Sequence, residues 1–186
     1  MDLQTGRDLE EAYRRYSRGL FNYILRHVGD HHRAEELLQE TYCRAFARRD
    51  TFRAGAQVST WLYRIALNLC IDFLRARKHR LHASLEAPTG HDDATRFSDT
   101  VPDPDANVFR DVTKEEMAAE VRDAIDRLPD RERSVFLLRT YHEMTYAEIA
   151  RITGLSTRTV QNCVRRSRDR IKAELVRRGV RQEEVA

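Results

Sequence analysis

Apolar residues recur every three or four positions over most of the chain, which is the spacing of an amphipathic α-helix. The first predicted helix carries the apolar series Leu9, Ala12, Tyr13, Tyr16, Leu20, Tyr23 and Ile24. Gly29 breaks this helix, and Asp30 can cap the next one. The inner face of the second helix is predicted to comprise Leu37, Leu38, Thr41, Tyr42, Ala45 and Phe46.

A third helix is predicted over residues 60–76, where large apolar side chains keep the same spacing. Its apolar residues are Trp61, Leu62, Ile65, Ala66, Leu69 and Phe73, and a basic run over residues 75–80 follows them. No stretch of alternating Val, Ile and Thr residues between hairpin turns predicts a β-sheet. The first block therefore reads as a helical domain over residues 1–81.

Residues 82–112 interrupt this helical pattern. They contain three of the four prolines and few periodic apolar residues, and residues 81–112 carry seven acidic against two basic side chains. A structureless segment of this length inside one compact domain is uncommon, so we interpret it as a linker. The predicted fold class is all-α, with two small helical domains (1–81 and 113–186) joined by an acidic flexible linker.

The second block predicts a helix-turn-helix. Thr145 and Glu148 have the spacing of a capping box, and Gly154 falls where a turn needs positive φ. Ala147, Ile149 and Ala150 are predicted to face inward from the first helix of the pair. Ser156 can cap the second helix, whose buried stripe is predicted to be Val160, Val164 and Ile171.

The remaining positions of that second helix are polar and basic. Residues 156–172 carry six basic side chains and one acidic side chain. A helix of this kind can enter the major groove, with its first residues at base edges and later arginines at phosphates. The predicted DNA contacts are Ser156, Thr157, Arg158, Gln161, Asn162, Arg165, Arg166 and Arg168. The alternative interpretation is a merely solvated helix face.

Composition narrows the function classes. The net charge of the 186 residues is only +3, and no apolar run reaches the roughly 18–20 residues of a membrane helix, so no membrane insertion is expected. Cys43, Cys70 and Cys163 are scattered, which fits a reducing cytoplasm and predicts small, partly buried fillers. No phosphate loop or catalytic motif is present, so neither an enzyme nor a cofactor is expected.

A metal site is not expected either. His31 and Glu35, and His32 and Glu36, are spaced four residues apart, which is a geometry that can hold a metal ion. The sequence offers no third ligand, so both pairs are interpreted as polar residues at the start of a helix.

Four stretches in order make the chain resemble the extracytoplasmic-function sigma factors of the sigma-70 family. They are residues 35–42 (EELLQETY), 59–68 (STWLYRIALN), 124–133 (AIDRLPDRER) and the helix-turn-helix at 146–166. The resemblance implies a sigma-two domain that binds core RNA polymerase and melts the −10 element. It also implies a sigma-four domain that reads the −35 element, and localisation in the cytoplasm, at the nucleoid when in holoenzyme.

The resemblance also assigns residues and partners. Glu35, Glu36, Gln39 and Glu40 are implied to contact the coiled coil of the polymerase β′ subunit, while the β flap is a second polymerase contact. Contacts to the −10 element are implied for Arg64, Asn68, Arg75, Arg77 and Lys78. An anti-sigma factor is an expected partner. The acidic linker is predicted to lie in a basic channel of polymerase through Asp92, Asp93, Asp99, Asp103 and Asp105.

Some positions depart from the family pattern. Arg33 stands where Asp is frequent, and Leu67 stands where Arg is common before the Asn. Gln161 and Cys163 occupy positions that are usually basic. Two rival interpretations remain: a helix-turn-helix regulator that binds duplex DNA without polymerase, and a polymerase-docked decoy that binds no DNA.

Overall fold

The structure is a computed structural model that describes residues 6–52, 56–85 and 108–178. Every regular element in these ranges is helical, and none of the described residues forms a strand. The helices are α1 (Gly6–Val28), α2 (His31–Ala47), α3 (Val58–Leu85), α4 (Val108–Asp126), α5 (Asp130–Thr140), α6 (Tyr146–Thr153) and α7 (Thr157–Arg177), with a short 3₁₀ turn at Arg49–Thr51. The all-α prediction is confirmed.

Helices α1, α2 and α3 pack into the N-terminal block. Gly29 has a φ of 73°, which ends α1, and an Asp30 side-chain oxygen accepts the Arg33 backbone N–H at 2.7 Å. Leu20, Tyr23 and Leu62 are fully buried between the helices. The predicted break and cap therefore set the turn that brings α2 back against α1.

Two aromatic residues predicted to face the core are half exposed instead. Tyr13 is 49% exposed and lies edge-on to Tyr42 at 4.8 Å between ring centroids. Phe46 is 50% exposed and is covered by the Arg49 guanidinium at 4.6 Å. Both residues lie at the edge of an apolar stripe, where periodicity alone does not separate core from surface. Cys43, predicted to be a partly buried filler, is exposed.

The segment between the helices of the two blocks is shorter than the linker predicted over residues 82–112. Helix α3 continues to Leu85, beyond the predicted end at residue 76, and α4 already begins at Val108. Residues 82–85 and 108–112 are therefore helical. The rest of the predicted linker, including its Asp92–Asp105 cluster, lies outside the described residues.

Helices α4 to α7 form the C-terminal block around Val135, Leu138, Ile149 and Val160, which are fully buried. Ile149 faces inward as predicted and Ala150 is half-buried, but Ala147 is exposed. Ala147 is at the second position of the short helix α6, before its apolar face meets α5 and α7, which explains the wrong prediction.

The two blocks contact each other directly, which the sequence did not predict. Helix α6 packs on α3, and α5 packs on α1. The Tyr63 hydroxyl lies 3.0 Å from Nδ1 of His142, across 79 residues of sequence. The buried side chains of both blocks consequently belong to one continuous core.

Candidate nucleic-acid and protein interfaces

The helix-turn-helix is built by its caps. Thr145 donates its backbone N–H to the Glu148 carboxylate at 2.8 Å, and Glu148 returns its own N–H to the Thr145 hydroxyl at 3.3 Å. The Thr145 hydroxyl also donates to the Glu148 carboxylate at 2.7 Å. This bond and the Thr145 backbone N–H stabilise the carboxylate and lower the pKa of Glu148 below its usual range. Gly154 has a φ of 72°, a left-handed conformation that glycine adopts without strain. The predicted capping box and turn are confirmed.

Helix α7 presents the polar face that the sequence predicts. The Ser156 hydroxyl accepts the Thr159 N–H at 3.1 Å and caps the helix. The exposed residues include Ser156, Thr157, Arg158, Gln161, Arg165, Arg166 and Arg168, whereas Asn162 is half-buried. The predicted buried stripe is confirmed and is wider than expected, since it also holds Cys163, Ser167 and Leu175.

The buried side of α7 is anchored on α5. The Ser167 hydroxyl is within hydrogen-bond distance of the Cys163 carbonyl (2.8 Å) and the Glu132 carbonyl (3.2 Å). Glu132 also forms an ion pair with Arg170 at 3.0 Å. Cys163 is 5% exposed, and burial raises the pKa of its thiol. Since this position faces the core, the cysteine there changes the packing of α7 and not its exposed surface.

Helix α3 carries the residues that resemble the −10 contacts. All five of them are exposed: Arg64, Asn68, Arg75, Arg77 and Lys78. At 3.6 residues per turn, Arg64, Asn68 and Arg75 lie within about 40° of one another around the helix axis, and Lys78 lies about 60° from Arg75. Arg77 is about 200° from Arg75 and faces away. The structure therefore groups four of the five residues on one side.

On α2, Glu35, Glu36, Gln39 and Glu40 are all exposed. Several of these charges are already paired along the helix: Glu36 with Arg33 at 2.6 Å, and Glu40 with Arg44 at 2.7 Å. The net negative charge of this face is therefore smaller than its glutamate content alone would predict. Cys43 and Phe46 lie on the same side of the helix as Gln39, so the exposed surface continues towards the C-terminus of α2 as an apolar patch.

A groove runs beside this surface between α1 and α2. It has a volume of about 350 Å³ and is lined by Tyr13, Phe21, His31, Glu35, Leu38 and Gln39. Sequence reasoning missed the aromatic wall, because Tyr13 was assigned to the core and Phe21 to no site. A half-exposed aromatic residue beside an acidic helix face is the signal that could have found it.

The histidine–glutamate pairs of α2 are ion pairs when the histidine is protonated. His31 Nδ1 lies 3.7 Å from Glu35 and His32 Nε2 lies 3.3 Å from Glu36, with all four side chains exposed. Among the described residues, no group of three His, Cys, Asp or Glu side chains has the geometry to hold a metal ion. No helix in the described ranges is long and apolar enough to cross a membrane.

Comparison with known proteins decides the family. Residues 12–80 match the model of sigma-70 region 2, and residues 118–171 match that of sigma-70 region 4. The chain is 32% identical to the ECF RNA polymerase sigma factor SigW of Bacillus subtilis (strain 168) over 162 residues, which covers 86% of this chain and 84% of SigW. The chain belongs to the extracytoplasmic-function RNA polymerase sigma factors.

A second relative is similar over nearly its whole length. The ECF RNA polymerase sigma factor SigM of Bacillus subtilis (strain 168) is 29% identical, with 94% of this chain and 99% of SigM covered. This sigma factor therefore directs RNA polymerase to promoters and is an initiation factor, not an enzyme. The match over both blocks excludes a regulator that works without polymerase.

Solved structures share the fold of this sigma factor. The sigma factor RpoE in complex with the anti-sigma factor NepR, from Bartonella quintana, has a TM-score of 0.69 at 21% identity, with 90% of this chain and 96% of RpoE covered. CnrH in complex with the cytosolic domain of CnrY has a TM-score of 0.66 at 20% identity, with 92% and 90% covered. Each comparison spans both helical blocks.

Proposed function

We propose that this sigma factor engages promoter DNA through one face of α3 and one face of α7, and core polymerase through α2. The observation that carries the proposal is that several exposed arginines on α3 and α7 have no ion-pair partner. Arg64, Arg158, Arg165 and Arg166 form no ion pair with any other described residue, although α7 has paired arginines elsewhere. Arginines without an acidic partner at an exposed helix face are available to phosphates, and each contact releases counterions.

Helix α7 is proposed to read the −35 element. Its capped N-terminus presents Ser156, Thr157 and Arg158, with Gln161 and Asn162 one turn later. Glutamine and asparagine side chains suit adenine edges in the major groove. Arg165, Arg166 and Arg168 lie further along the helix, where phosphate contacts fix its register without reading sequence.

Helix α3 is proposed to act at the −10 element. Asn68 is exposed with Arg64 four residues before it and Arg75 seven residues after it on the same side. Strand separation costs the stacking of the melted bases, which polar contacts to a flipped base and cationic contacts to the backbone can offset. Asn68 is assigned to the base, and Arg64, Arg75 and Lys78 to the backbone. Arg77 is the weakest member of the predicted set because it faces away.

Helix α2 is proposed to dock on the β′ coiled coil. Glu35, Glu36, Gln39 and Glu40 supply polar contacts, and Phe46 at the end of the same surface supplies an apolar one. Interfaces typically combine an aromatic anchor with a polar rim, which explains an otherwise costly exposed phenylalanine. The helix-turn-helix block is assigned to the β flap.

The two DNA contacts act together. Once polymerase holds both blocks, the second contact with DNA becomes intramolecular and gains from a high effective concentration. Neither block alone is expected to hold a promoter tightly.

The acidic residues of the linker are proposed to lie in a basic channel of polymerase; they are Asp92, Asp93, Asp99, Asp103 and Asp105. Neutralising all five is expected to lower holoenzyme activity.

An anti-sigma factor is a proposed partner of this sigma factor. The support is that RpoE and CnrH, whose folds it shares, were both solved in complexes, with the anti-sigma factor NepR and with CnrY. The proposed location is the cytoplasm, with nucleoid association in holoenzyme, because both proposed binding partners, polymerase and promoter DNA, lie there.

The proposal is tested by transcription in vitro with purified core polymerase and a library of randomised promoters. Addition of the sigma factor is expected to start transcripts from a subset that shares a −35 and a −10 motif at fixed spacing. The Gln161→Ala variant is expected to relax the −35 motif while leaving the −10 motif unchanged. Initiation without any shared motif, or none above core polymerase alone, would contradict the proposal.

A further inference from the structure

Helix α7 contains two acidic residues, Asp169 and Glu174, whose surroundings differ. Glu174 is half-buried and forms ion pairs with Arg177 at 2.7 Å and with Arg127 at 3.5 Å. Asp169 is exposed, and its carboxylate has no ion-pair or hydrogen-bond partner among the described residues. Glu174 therefore stabilises the folded block through its ion pairs, whereas Asp169 makes no such contribution.

Helical geometry places Asp169 on the side of α7 that is proposed to contact DNA. At 3.6 residues per turn, Asp169 lies about 20° from Arg158 and about 40° from Arg165 around the helix axis. Ser167, in the middle of the buried stripe, lies about 160° from Asp169. Asp169 therefore points away from the core, in line with the arginines that have no acidic partner.

The position of Asp169 along the helix decides which part of the DNA it meets. A recognition helix contacts base edges with its N-terminal residues, which in α7 include Gln161. Asp169 lies about 12 Å beyond Gln161 along the helix axis, and the major groove is about 12 Å wide. A straight helix that places Gln161 at base edges therefore brings Asp169 to the phosphate backbone at the edge of the groove.

A carboxylate at the DNA backbone opposes binding. It repels the phosphates directly, and this repulsion is strongest at low salt because screening is then weakest. Asp169 also lies one turn beyond Arg165 and Arg166, so its charge lowers the positive potential that these arginines present to phosphates. Neither effect depends on the base sequence of the DNA.

We propose that Asp169 is a specificity-determining residue whose carboxylate opposes the DNA backbone, keeps the binding of α7 to any duplex weak, and makes stable binding depend on the second contact at the −10 element. This inference rests on the proposed function of α7. Because polymerase joins the two contacts, DNA with both elements still binds tightly. DNA that offers only one of them does not, which disfavours incomplete promoters.

The test compares the full-length wild-type protein with Asp169→Asn, which removes the charge and keeps the size of the side chain. Fluorescence anisotropy measures binding to two duplexes of equal length, one with the −35 motif selected from the promoter library and one with that motif scrambled. Asp169→Asn is expected to bind both duplexes about fivefold more tightly at low salt. The slope of log affinity against log salt is expected to steepen by about one unit.

Two control variants separate the position of the charge from the net charge of the protein. Asp169→Glu keeps the carboxylate and is expected to bind both duplexes as the wild type does. Glu116→Gln removes one negative charge from an exposed position of α4, so both affinities should stay at the wild-type value. A gain in Glu116→Gln as large as that in Asp169→Asn would overturn the proposal, because net charge alone would then explain it.

Binding by the holoenzyme tests the dependence on the second contact. On DNA with the −35 motif and a scrambled −10 motif, holoenzyme containing Asp169→Asn is expected to bind about fivefold more tightly than wild-type holoenzyme. The difference should be smaller on a complete promoter, where the −10 contact already holds the DNA. Equal binding of both holoenzymes to the incomplete promoter would overturn the proposal.

The duplex measurements also separate repulsion from base reading. A carboxylate can accept a hydrogen bond from cytosine N4, so a loss of affinity confined to the −35 duplex would make Asp169 a base contact and overturn the proposal. Unchanged affinity for both duplexes would overturn it as well. If the library yields no −35 motif, the proposed function fails instead, while the scrambled duplex still shows whether Asp169 opposes DNA binding.

Discussion

The surface proposed for polymerase and the surfaces proposed for DNA arrange their charges in opposite ways. On α2, Glu36 and Glu40 are paired with arginines of the same helix. On α7, Arg165 and Arg166 have no acidic partner among the described residues. Paired charges with an adjacent apolar patch suit one protein partner of defined shape, whereas unpaired cations suit any polyanion and add sequence preference through their polar neighbours.

The side of α3 that carries Asn68 offers the largest expected effect. Asn68→Ala is expected to lower open-complex formation about 10- to 100-fold, since one specific base contact is worth about 1–3 kcal/mol. Binding of holoenzyme to the −35 duplex should survive. Arg77→Ala, on the opposite side of the helix, serves as the control and should form open complexes normally. Equal losses in both variants would contradict the grouping of the α3 residues.

The unpaired arginines of α7 predict a change in salt dependence. Replacing Arg165 and Arg166 by Ala is expected to reduce the slope of log affinity against log salt by about one unit for each lost phosphate contact. Holoenzyme binding to promoter DNA, measured between 50 and 200 mM salt, gives this slope.

Arg177→Ala is the matched control on the same helix. Arg177 is paired with Glu174 at 2.7 Å and lies beyond the part of α7 that is proposed to contact DNA, so the slope should stay at the wild-type value. If the slope falls equally in this variant, the phosphate contacts are not confined to the unpaired arginines, which contradicts the prediction.

The α2 surface predicts a smaller effect on a different measurement. Gln39→Ala combined with Glu40→Ala is expected to weaken association with core polymerase about fivefold, the loss of a moderate interface contact. Far-ultraviolet circular dichroism should remain unchanged, since both side chains are exposed. Glu116→Ala removes one carboxylate from an exposed position of α4 and should leave polymerase association intact; unchanged association in the double variant would remove α2 from the interface.

The helix caps allow the two blocks to be compared in stability. Asp30→Ala and Thr145→Ala each remove a side-chain acceptor for a backbone N–H, at the start of α2 and of α6. Each substitution is expected to lower the free energy of unfolding by about 1 kcal/mol. Urea denaturation measures this change, with Thr140→Ala as the exposed, non-capping threonine control. A cap substitution without effect would show that the helix starts are fixed by packing alone.

The interface between the blocks predicts the smallest and most gradual effect, a dependence on pH. Burial, with the nearby charge of Arg26, lowers the pKa of His142 to about 4 from its ordinary value of 6.5. The Tyr63 hydroxyl and the Tyr23 ring also face it, and neither is an acidic partner for an imidazolium. A histidine with a lowered pKa stabilises the folded contact between the two blocks fully above pH 6.5 and loses this contribution as the pH falls towards 4.

The free energy of unfolding, measured by urea denaturation, is therefore expected to fall as the pH is lowered from 7.5 to 5. The His142→Gln variant, which keeps a polar side chain without a titrating group, should respond less. An unfolding free energy that rises on acidification would contradict the lowered pKa as the cause.

Local structure was predictable from the sequence because local chemistry determines it. The Asp30 cap, the Thr145–Glu148 capping box and the turn at Gly154 each follow from residues within a few positions of one another. The buried stripe of α7 follows from helical spacing, and the family motifs assign roles to the exposed positions. The helix-turn-helix and most of the exposed positions of its second helix were therefore predictable from the sequence alone.

Long-range structure was not predictable in the same way. The contact between Tyr63 and His142 joins residues that are far apart in sequence, and no motif around either residue indicates that they meet. Phe46 satisfied the period of the α2 stripe but lies at its edge, where only packing decides burial. Arg77 faces away from Asn68 because α3 continues as a helix beyond residue 76. The run of basic residues over 75–80 does not by itself indicate that continuation.

Association with core polymerase tests the central claim most directly. Analytical ultracentrifugation of the full-length protein with purified core polymerase, and separately with a −35 duplex, compares the two kinds of binding. The account predicts a one-to-one complex with polymerase and only weak, salt-sensitive binding to the duplex alone. No complex with polymerase, together with tight binding to the duplex by the free protein, would contradict it.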